Sequence, residues 1–309
     1  MKPRTAPFSG VIPPVVTPLT ADGTVDTVSL ERVVRHLVDG GVDALFALGS
    51  SGEVAYLTDD QQDTVLDVVV KTAAGQVPVL AGAIETTTNK VIERARSAAA
   101  KGVEAIVATA PFYTRTHPTE IDRHFRQIAA ACELPLLAYD IPVCVHSKLS
   151  RELVLALAAD GVLAGVKDSS GDDVSFRQLA LDLRGQSGFA LLTGHEVVVD
   201  AMLLGGADGS VPGLGNVDPR GYRRLHDAAA RGDWDAARAE QDRLARLFRI
   251  VEAADPADAS GTAAGLGAFK TALAVLGVIA ANTVSPPMRP LTAEETGRIA
   301  AILEETGLR

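Results

Sequence analysis

The sequence has few cysteines and no clusters of basic residues or metal ligands. Cys132 and Cys144 are its only cysteines among 309 residues, and neither stands in a CxxC or other ligand spacing, so we expect no disulfide scaffold and no zinc module. No run of lysine or arginine occurs and the net charge is −10, which argues against nucleic-acid binding and against docking on anionic lipid. The six histidines form no HxxxH or HExxH pair, so we expect neither a catalytic metal nor another cofactor.

Long hydrophobic runs are also lacking. The most apolar late stretch, residues 271–281, is far shorter than the ~20 residues that cross a bilayer, and Lys270 stands at its edge. Residues Met1 to Ser9 contain neither the apolar core nor the cleavage pattern of a secretory signal. These absences predict a cytoplasmic protein that acts on small molecules and does not bind membranes.

What the sequence does have is an alternation of short apolar runs with amphipathic stretches. The stretches have helical spacing, as at Ile121, Phe125, Ile128 and Cys132. Eight runs at a repeat of about 30 residues predict a (β/α)8 TIM barrel. The competing architecture is a doubly wound open sheet, but no GxGxxG follows the first run, and this favours the barrel. The runs, whose apolar character on both faces fits a buried parallel sheet, cover residues 15–16, 44–48, 79–83, 105–110, 136–139, 163–166, 190–192 and 207–211.

Helix signals continue where the strand signals stop, after Val217. Thr58 with Gln61, and Thr292 with Glu295, have the spacing of capping boxes. The late chain predicts helices over residues 220–231, 233–251, 264–278 and 293–304. We therefore expect a catalytic barrel over residues 1–231 and a helical appendage over residues 232–309 that serves packing or oligomerisation.

Reactive groups of a barrel lie at the C-terminal ends of its strands, and Lys167 holds such a position. It directly follows the sixth apolar run and precedes Asp168. Desolvation at the barrel mouth disfavours the ammonium form and frees a neutral amine for attack on a carbonyl group. Alternatively, Lys167 extends to solvent or pairs with Asp168. Lysines on predicted helices or at their ends, which are less suited to this role, are Lys71, Lys90, Lys101, Lys148 and Lys270.

Two further strand ends carry groups that complement an amine. Tyr139 ends the fifth run, where its phenol can act as a general acid and base; the alternative is a core tyrosine with a satisfied hydroxyl. The second run ends in the small-residue turn Gly49-Ser50-Ser51-Gly52-Glu53, whose N–H groups and hydroxyls can receive a carboxylate. Glu53 has either a catalytic role or one in packing.

Loops after other strands supply further candidates. The segment 111–115, with Tyr113 at its centre, caps the site or forms an interface or core. Gly194 after the seventh run and Val211 at the end of the eighth are predicted to line the substrate site, and His146 and His195 lie on loops at the same mouth. A phosphate-handling barrel with residues 205–210 as an anion cradle is an alternative that needs no lysine on the sixth strand.

Taken in order, the motifs GSSGE, PFYTR, YDIP and GVKDSSG resemble those of the dihydrodipicolinate synthase / N-acetylneuraminate lyase family, and the likeness extends over nearly the whole chain. The resemblance implies a (β/α)8 barrel with extra C-terminal helices, assembled as a homotetramer of tight dimers. It implies that Lys167 forms a Schiff base with a 2-oxo acid such as pyruvate and that Tyr139 transfers protons. It also implies that Ser50, Ser51 and Gly52 receive the carboxylate, and that Tyr113 enters the partner's site to complete a hydroxyl relay.

Two departures from the family's pattern bear on the substrate. Dihydrodipicolinate synthases have an arginine two residues after YNxP that binds the aldehyde's carboxylate, whereas this chain has Cys144, which offers no bidentate fork. Sialic acid lyases use acidic residues after the seventh strand, of which this chain keeps at most Glu196. The KDSSGD stretch is more similar to branches that act on 4-hydroxy-2-oxoglutarate or 2-keto-3-deoxy sugar acids.

We therefore expect a pyruvate-dependent class I aldolase or lyase that acts on such a 2-oxo acid. The alternatives are 4-hydroxy-tetrahydrodipicolinate synthase and a 2-keto-3-deoxy acid dehydratase. Outside catalysis, the alternative is a regulator that binds 2-oxo acids and retains the barrel.

Overall fold

The computed structural model describes residues 7–309, and its centre is a ring of short parallel strands. From β2 to β8 each strand pairs with the next in sequence, and β8 also pairs with β1. Within the described residues the strands are β1 (Gly10–Val11), β2 (Leu45–Ala47), β3 (Val79–Gly82), β4 (Ala105–Thr109), β5 (Leu136–Asp140), β6 (Gly165–Asp168), β7 (Ala190–Thr193) and β8 (Gly209–Ser210).

Two backbone hydrogen bonds close the ring between β1 and β2. The N–H of Phe46 donates to the carbonyl of Pro13 (3.0 Å), and the N–H of Val15 donates to the carbonyl of Phe46 (2.9 Å). The predicted (β/α)8 barrel is thus confirmed. The doubly wound sheet is wrong, because an open sheet would leave two edges unpaired.

The first strand lies earlier than predicted. The sequence placed it at residues 15–16, but the ladder with β8 is made by Gly10 and Ile12, whose N–H groups donate to Asp208 and Ser210. Pro13 and Pro14 follow, and because proline has no N–H they cannot continue that ladder. The valines at 15 and 16 are buried, as their apolar character demands, but they lie where the ring closes.

The other seven apolar runs each overlap an observed strand, with one shift that matters for the site. β6 extends from Gly165 to Asp168, so Lys167 lies inside the strand and not just beyond it. Its side-chain direction is therefore fixed by the sheet, since successive residues of a strand point to opposite faces.

Helices follow the strands and surround the ring. Both predicted capping boxes are present, at Thr58 with Gln61 and at Thr292 with Glu295, and the four late helices are confirmed. The helices are α1 (Thr27–Asp39), α2 (Asp59–Ala73), α3 (Thr88–Ala100), α4 (Pro118–Ala131), α5 (Pro142–Val145), α6 (Arg151–Ala159), α7 (Asp173–Asp182), α8 (Val199–Gly205), α9 (Pro219–Ala230), α10 (Trp234–Phe248), α11 (Gly261–Val275) and α12 (Ala293–Glu305).

The predicted boundary between residues 231 and 232 falls in the turn between α9 and α10. The division into a barrel and an appendage stays a prediction. Most of the segment Met1 to Ser9, for which no secretory signal was predicted, lies outside the described residues. Over residues 7–309, no helix is both long and apolar enough to cross a membrane.

Candidate active site

β5 and β6 bring Tyr139 and Lys167 together. The two residues lie opposite each other in the parallel ladder, so both side chains point to the same face, the barrel interior. Lys167 is 5% exposed and Tyr139 is 3% exposed. The Lys167 Nζ lies 3.9 Å from the centroid of the Tyr139 ring and 5.1 Å from that of Phe46. The amine is held between two aromatic side chains, which restricts where it can point.

An apolar layer fills the barrel around this amine. It includes Ile12, Phe46, Leu80, Val107, Leu137, Leu192 and Val211 and leaves a void of about 10 Å3. A substrate therefore has access to the amine only from the open end of the barrel. Val211, which was predicted to line the substrate site, belongs to this layer. Gly194 lies where β6 and β7 end, and a side chain at that position would collide with Ser169.

The carboxylates next to the strand ends pair with Lys148, not with Lys167. Asp140 and Asp168 lie opposite each other one residue beyond Tyr139 and Lys167. The Lys148 Nζ contacts the Asp140 carboxylate and lies 3.5 Å from that of Asp168. The alternative that Lys167 pairs with Asp168 is thus wrong. Lys148 had been placed on a helix or a helix end, but it lies in the loop between α5 and α6.

Backbone donors complete the environment of these two acids. The N–H of Leu149 donates to Asp140 (3.1 Å), and the N–H of Ser170 donates to Asp168 (2.7 Å). Burial raises the pKa of Asp140, while the hydrogen bonds from Lys148 and Leu149 oppose this rise. The cluster therefore ties together the ends of the two strands that carry Tyr139 and Lys167.

The turn after β2 places a hydroxyl beside Tyr139. Residues Ser50–Gly52 form one turn of 3-10 helix, and the Ser50 Oγ lies 3.3 Å from the Tyr139 phenol oxygen. The glycines of this turn are required by space, since a Cβ at Gly49 would lie 2.7 Å from the Phe46 ring. Ser51 is half-buried in the same turn. The pair of hydroxyls and the lysine thus face the same end of the barrel.

Glu53, the last residue of that motif, is buried beneath the turn. It takes a left-handed backbone conformation (φ 61°), is fully buried, and pairs with the equally buried Lys270 of α11. Its carboxylate also accepts the N–H of Ser285 (2.8 Å). Of the two roles left open for Glu53, these contacts favour the one in packing. No motif pointed to its partner, because Lys270 lies more than two hundred residues away in the chain.

Glu196 is a second group whose environment was not foreseen. It follows β7, and its carboxylate accepts the N–H of Leu214 (2.6 Å). Burial raises the pKa of Glu196 to about 7, while backbone donors and the charge of Lys167 oppose the rise. A buried carboxyl group whose pKa is raised to about 7 and which feels the charge of Lys167 is a candidate functional group.

The remaining predicted residues lie around the mouth. Tyr113 is 92% exposed and has a positive φ of 73°. Cys144 lies on α5 and is exposed as a residue, but partial burial of its thiol group raises the pKa of that thiol. His146 is exposed just after α5. His195 lies after β7, with its Nδ1 3.0 Å from the Asp173 carboxylate.

The proposed anion cradle over residues 205–210 is wrong. This segment leads into β8, so it lies at the N-terminal end of the ring, opposite the end to which the loops at Ser50 and Cys144 belong. The Ser210 Oγ is buried against the Nε2 of His226 (2.8 Å) and is not available to a ligand.

Comparison with known proteins agrees with this architecture. The sequence model of the dihydrodipicolinate synthetase family matches residues 7–306. An uncharacterized DapA-like lyase of Halobacterium salinarum is 33% identical over 299 residues, which are 97% of this chain and 94% of the relative. A 4-hydroxy-tetrahydrodipicolinate synthase of Phenylobacterium zucineum is 32% identical over 97% of this chain and 98% of its own length.

Solved structures show the same fold. YagE of E. coli K12, a prophage protein of the dihydrodipicolinic acid synthase family crystallised with pyruvate, superposes with a TM-score of 0.91 at 28% identity, covering 98% of this chain and 100% of YagE. Dihydrodipicolinate synthase of Bacteroides thetaiotaomicron gives a TM-score of 0.91 at 29% identity, covering 97% of this chain and 99% of that enzyme.

Proposed function

The chain belongs to the dihydrodipicolinate synthetase family and is a lyase or aldolase, and we propose that it is a pyruvate-dependent class I enzyme whose Lys167 forms a Schiff base. The observation that carries this proposal is the placement of the Lys167 Nζ, buried at the open end of the barrel against Tyr139. No ion pair joins it to a carboxylate among residues 7–309, and the two acids at the ends of β5 and β6, Asp140 and Asp168, pair with Lys148. The amine is therefore not held by a counter-charge.

In the first step, the Lys167 amine attacks the keto carbon of a 2-oxo acid. The carbinolamine then loses its hydroxyl group as water and leaves a protonated Schiff base. Tyr139 supplies the proton that the departing hydroxyl needs, since its phenol lies on the strand next to Lys167. Ser50 lies within hydrogen-bonding distance of that phenol and can pass the proton onward.

In the second step, the Schiff base accepts an electron pair. When the C3–C4 bond of a 4-hydroxy-2-oxo acid breaks, its electrons move to the iminium nitrogen and form an enamine. Tyr139 removes the proton of the C4 hydroxyl, and the aldehyde leaves. Protonation of the enamine at C3 and hydrolysis then release pyruvate and restore the amine.

The turn at Ser50 and Ser51 is proposed to bind the carboxylate of the 2-oxo acid. Its hydroxyls and the backbone N–H groups of Ser50 and Ser51 are the donors that an anion requires, whereas the N–H of Gly52 donates within the turn to the Gly49 carbonyl (3.0 Å). Holding the carboxylate there fixes the keto carbon relative to Lys167, which is the main way a site of this kind lowers the barrier. Gly194 and Val211 are proposed to border the rest of the substrate.

For the second substrate we propose the aldehyde part of a 2-keto-3-deoxy sugar acid or of 4-hydroxy-2-oxoglutarate. Cys144 is exposed at the mouth, where a dihydrodipicolinate synthase would present an arginine, and this argues against an aldehyde with its own carboxylate. 4-Hydroxy-tetrahydrodipicolinate synthase is kept as a second candidate because relatives that match 97% of the chain bear that name. A 2-keto-3-deoxy acid dehydratase would use the same Schiff base.

Borohydride reduction tests the covalent step. With pyruvate present, reduction should add the mass of the reduced pyruvyl group to the peptide that contains Lys167 and abolish activity. The Lys167→Ala variant should gain no such mass. Labelling of another lysine, or of none, would contradict the mechanism.

Substrate screening separates the candidate reactions. Release of pyruvate from 2-keto-3-deoxy acids, with little turnover of pyruvate plus aspartate semialdehyde, is the expected result. Faster condensation with aspartate semialdehyde would show that Cys144 does not exclude the synthase reaction. Loss of water without release of pyruvate would identify the dehydratase.

We also propose a homotetramer built from tight dimers, with Tyr113 completing the partner's site. The side chain of Tyr113 protrudes from the described chain, and an apolar groove of about 170 Å3 beside Ser50 offers space for a partner side chain. Mixing the variants Lys167→Ala and Tyr113→Ala should restore activity up to about a quarter of the wild-type value, because random reassembly gives one intact site in half of the dimers. Mixtures without activity would place Tyr113 in its own subunit's site, and full activity of Tyr113→Ala alone would show that Tyr113 belongs to no site.

A further inference from the structure

A buried ion pair lies beneath the turn that carries Ser50 and Ser51. Glu53 ends this turn, and Lys270 is in the middle of α11, in the helical appendage. Both side chains are 0% exposed and their charged groups are in contact. Two charges removed from water in this way stabilise a fold only weakly against an apolar pair of the same size. Stability alone therefore does not explain this ion pair, and a role in holding the neighbouring turn in position is the alternative.

Each partner of the pair is also anchored to the segment before α12. The Lys270 Nζ donates to the carbonyl of Thr283 (2.8 Å), and the Glu53 carboxylate accepts the N–H of Ser285 (2.8 Å). Burial lowers the pKa of Lys270, and the charge of Glu53 opposes this. The turn after β2 is thus joined to two separate parts of the late chain.

Neighbouring residues also contact the same turn. Gly213 lies between Phe269, which precedes Lys270 on α11, and the turn, since a Cβ at Gly213 would lie 2.6 Å from the Phe269 ring and 3.3 Å from the Ser51 Oγ. The Thr17 hydroxyl donates to the carbonyl of Gly52 (2.8 Å). Glu53 itself has a left-handed backbone, which is uncommon for residues other than glycine. Contacts from several parts of the chain thus hold the turn and the residue that ends it.

We propose that Glu53 and Lys270 are positioning residues that hold the Ser50–Ser51 turn in place for the substrate's carboxylate. The helical appendage is then a functional part of the active site as well as a packing surface. This inference rests on the proposed function, in which that turn binds a 2-oxo acid. Neither residue touches the substrate, so the effect should fall on binding more than on the chemistry at Lys167.

The test uses three variants, Glu53→Gln, Lys270→Met and the double variant that combines these two changes. Each is compared with the control variant Glu295→Gln. Glu295 is a matched control, since it is a buried acid of the same appendage and pairs with Arg289 (2.8 Å) without contact with the turn. The measured quantities are the pyruvate concentration for half-maximal borohydride trapping, the melting temperature, and amide hydrogen exchange over residues 49–54.

The single variants should raise the half-saturating pyruvate concentration about tenfold or more while trapping at saturation still reaches completion. The double variant is neutral and should regain most of the melting temperature but keep the raised concentration and the faster exchange over residues 49–54. Glu295→Gln should lower the melting temperature without either change.

Two results would overturn the inference. One is a double variant that regains both the melting temperature and wild-type pyruvate binding, and the other is a Glu295→Gln variant with the same loss of binding as Glu53→Gln. If the wild-type protein traps no pyruvate, the proposed function is wrong. In that case the exchange comparison alone decides whether the pair holds the turn, since unchanged exchange in Glu53→Gln and Lys270→Met would refute it.

Discussion

Lys148 balances the two carboxylates that end β5 and β6. Asp140 is 2% exposed, and the charge of Asp168 acts on it across the ladder. Lys148→Met should therefore leave two acids in repulsion beside Tyr139 and Lys167, with a loss of about 1–3 kcal/mol in stability and a lower kcat. The Lys148 side chain is one-third exposed, which keeps the expected loss below that of a fully buried pair.

The double variant Asp140→Asn with Lys148→Met is the control for this effect. An asparagine keeps an acceptor for the N–H of Leu149 and removes one of the two charges. Urea unfolding and steady-state kinetics should both show recovery relative to Lys148→Met. An unchanged kcat in the single variant would mean that the cluster does not position the catalytic strands.

Glu196 gives a prediction about pH. Burial raises the pKa of Glu196 to about 7, so between the unfolded value near 4.5 and about 7 the folded chain binds a proton that the unfolded chain releases. Stability contributed by this group is therefore present at low pH and lost as the pH rises through that window. Glu196→Gln keeps an acceptor for Leu214 and removes the titration. Relative to wild type, the variant should gain about 1–3 kcal/mol between about pH 5 and about pH 8 in urea unfolding. A constant difference across that range would contradict the assigned pKa.

At the level of residues, sequence could predict groups whose position follows from the strand period. Lys167 and Tyr139 end apolar runs, and a barrel brings all such ends to one face. The partners of Lys148, Lys270 and Glu196 could not be predicted in this way. Each depends on groups from different elements that meet only when the ring has closed, as the N–H of Ser285 meets Glu53 across 232 residues.

At the level of elements, the joint between β2 and β3 is the most constrained part of the described barrel. Leu48 has a positive φ of 56° just before the turn that contains Ser50 and Ser51, and its carbonyl lies against Gly82, the last residue of β3. A Cβ at Gly82 would overlap that carbonyl oxygen. Only glycine therefore allows the chain to enter the turn as it does.

Gly82→Ala should lower stability by about 1–3 kcal/mol, because backbone atoms would have to move to accept the methyl group. It should also weaken pyruvate binding, since the displaced carbonyl belongs to the residue before Gly49. The matched control is Gly265→Ala on α11, where no atom lies within 4 Å of the new methyl group, so the change should be neutral or stabilise by up to about 1 kcal/mol. Equal melting temperatures for the two variants would contradict this account.

Strand placement was predictable where both faces are buried and less so where proline interrupts the chain. Seven apolar runs overlap strands, but at the first one the apolar residues continue past Pro13 and Pro14. Apolar character reports burial, whereas a strand also requires N–H groups for its ladder. The two criteria diverge at prolines, which explains the shift from residues 15–16 to Gly10–Val11.

At the level of the whole molecule, two buried histidines make the stability of the barrel depend on pH. His226 on α9 and His124 on α4 bond to β8 and β4, through the Ser210 hydroxyl (2.8 Å) and the Thr109 carbonyl (3.1 Å). Burial lowers the pKa of His226 to about 3 and that of His124 to about 4. Below about pH 6.5, the pKa of these histidines in the unfolded chain, the unfolded chain binds protons that the folded chain does not bind. Stability therefore falls as the pH drops.

If the closed barrel unfolds as one cooperative unit, the opposing contributions of His124, His226 and Glu196 add to a single free energy of unfolding. As the pH falls from about 7 to about 5, each histidine should lower the free energy of unfolding by about 2 kcal/mol, whereas the Glu196 carboxyl should raise it by about 2 kcal/mol. His226→Gln keeps a donor for Ser210 and should reduce the acid-induced loss by about 2 kcal/mol in urea unfolding, and Glu196→Gln should increase it by a similar amount. Because Glu196 bonds to Leu214 and His226 bonds to Ser210, with no hydrogen bond or ion pair between the two side chains among residues 7–309, their effects should add in the double variant. Separate unfolding transitions, or effects that do not add, would show that the barrel does not unfold as one unit.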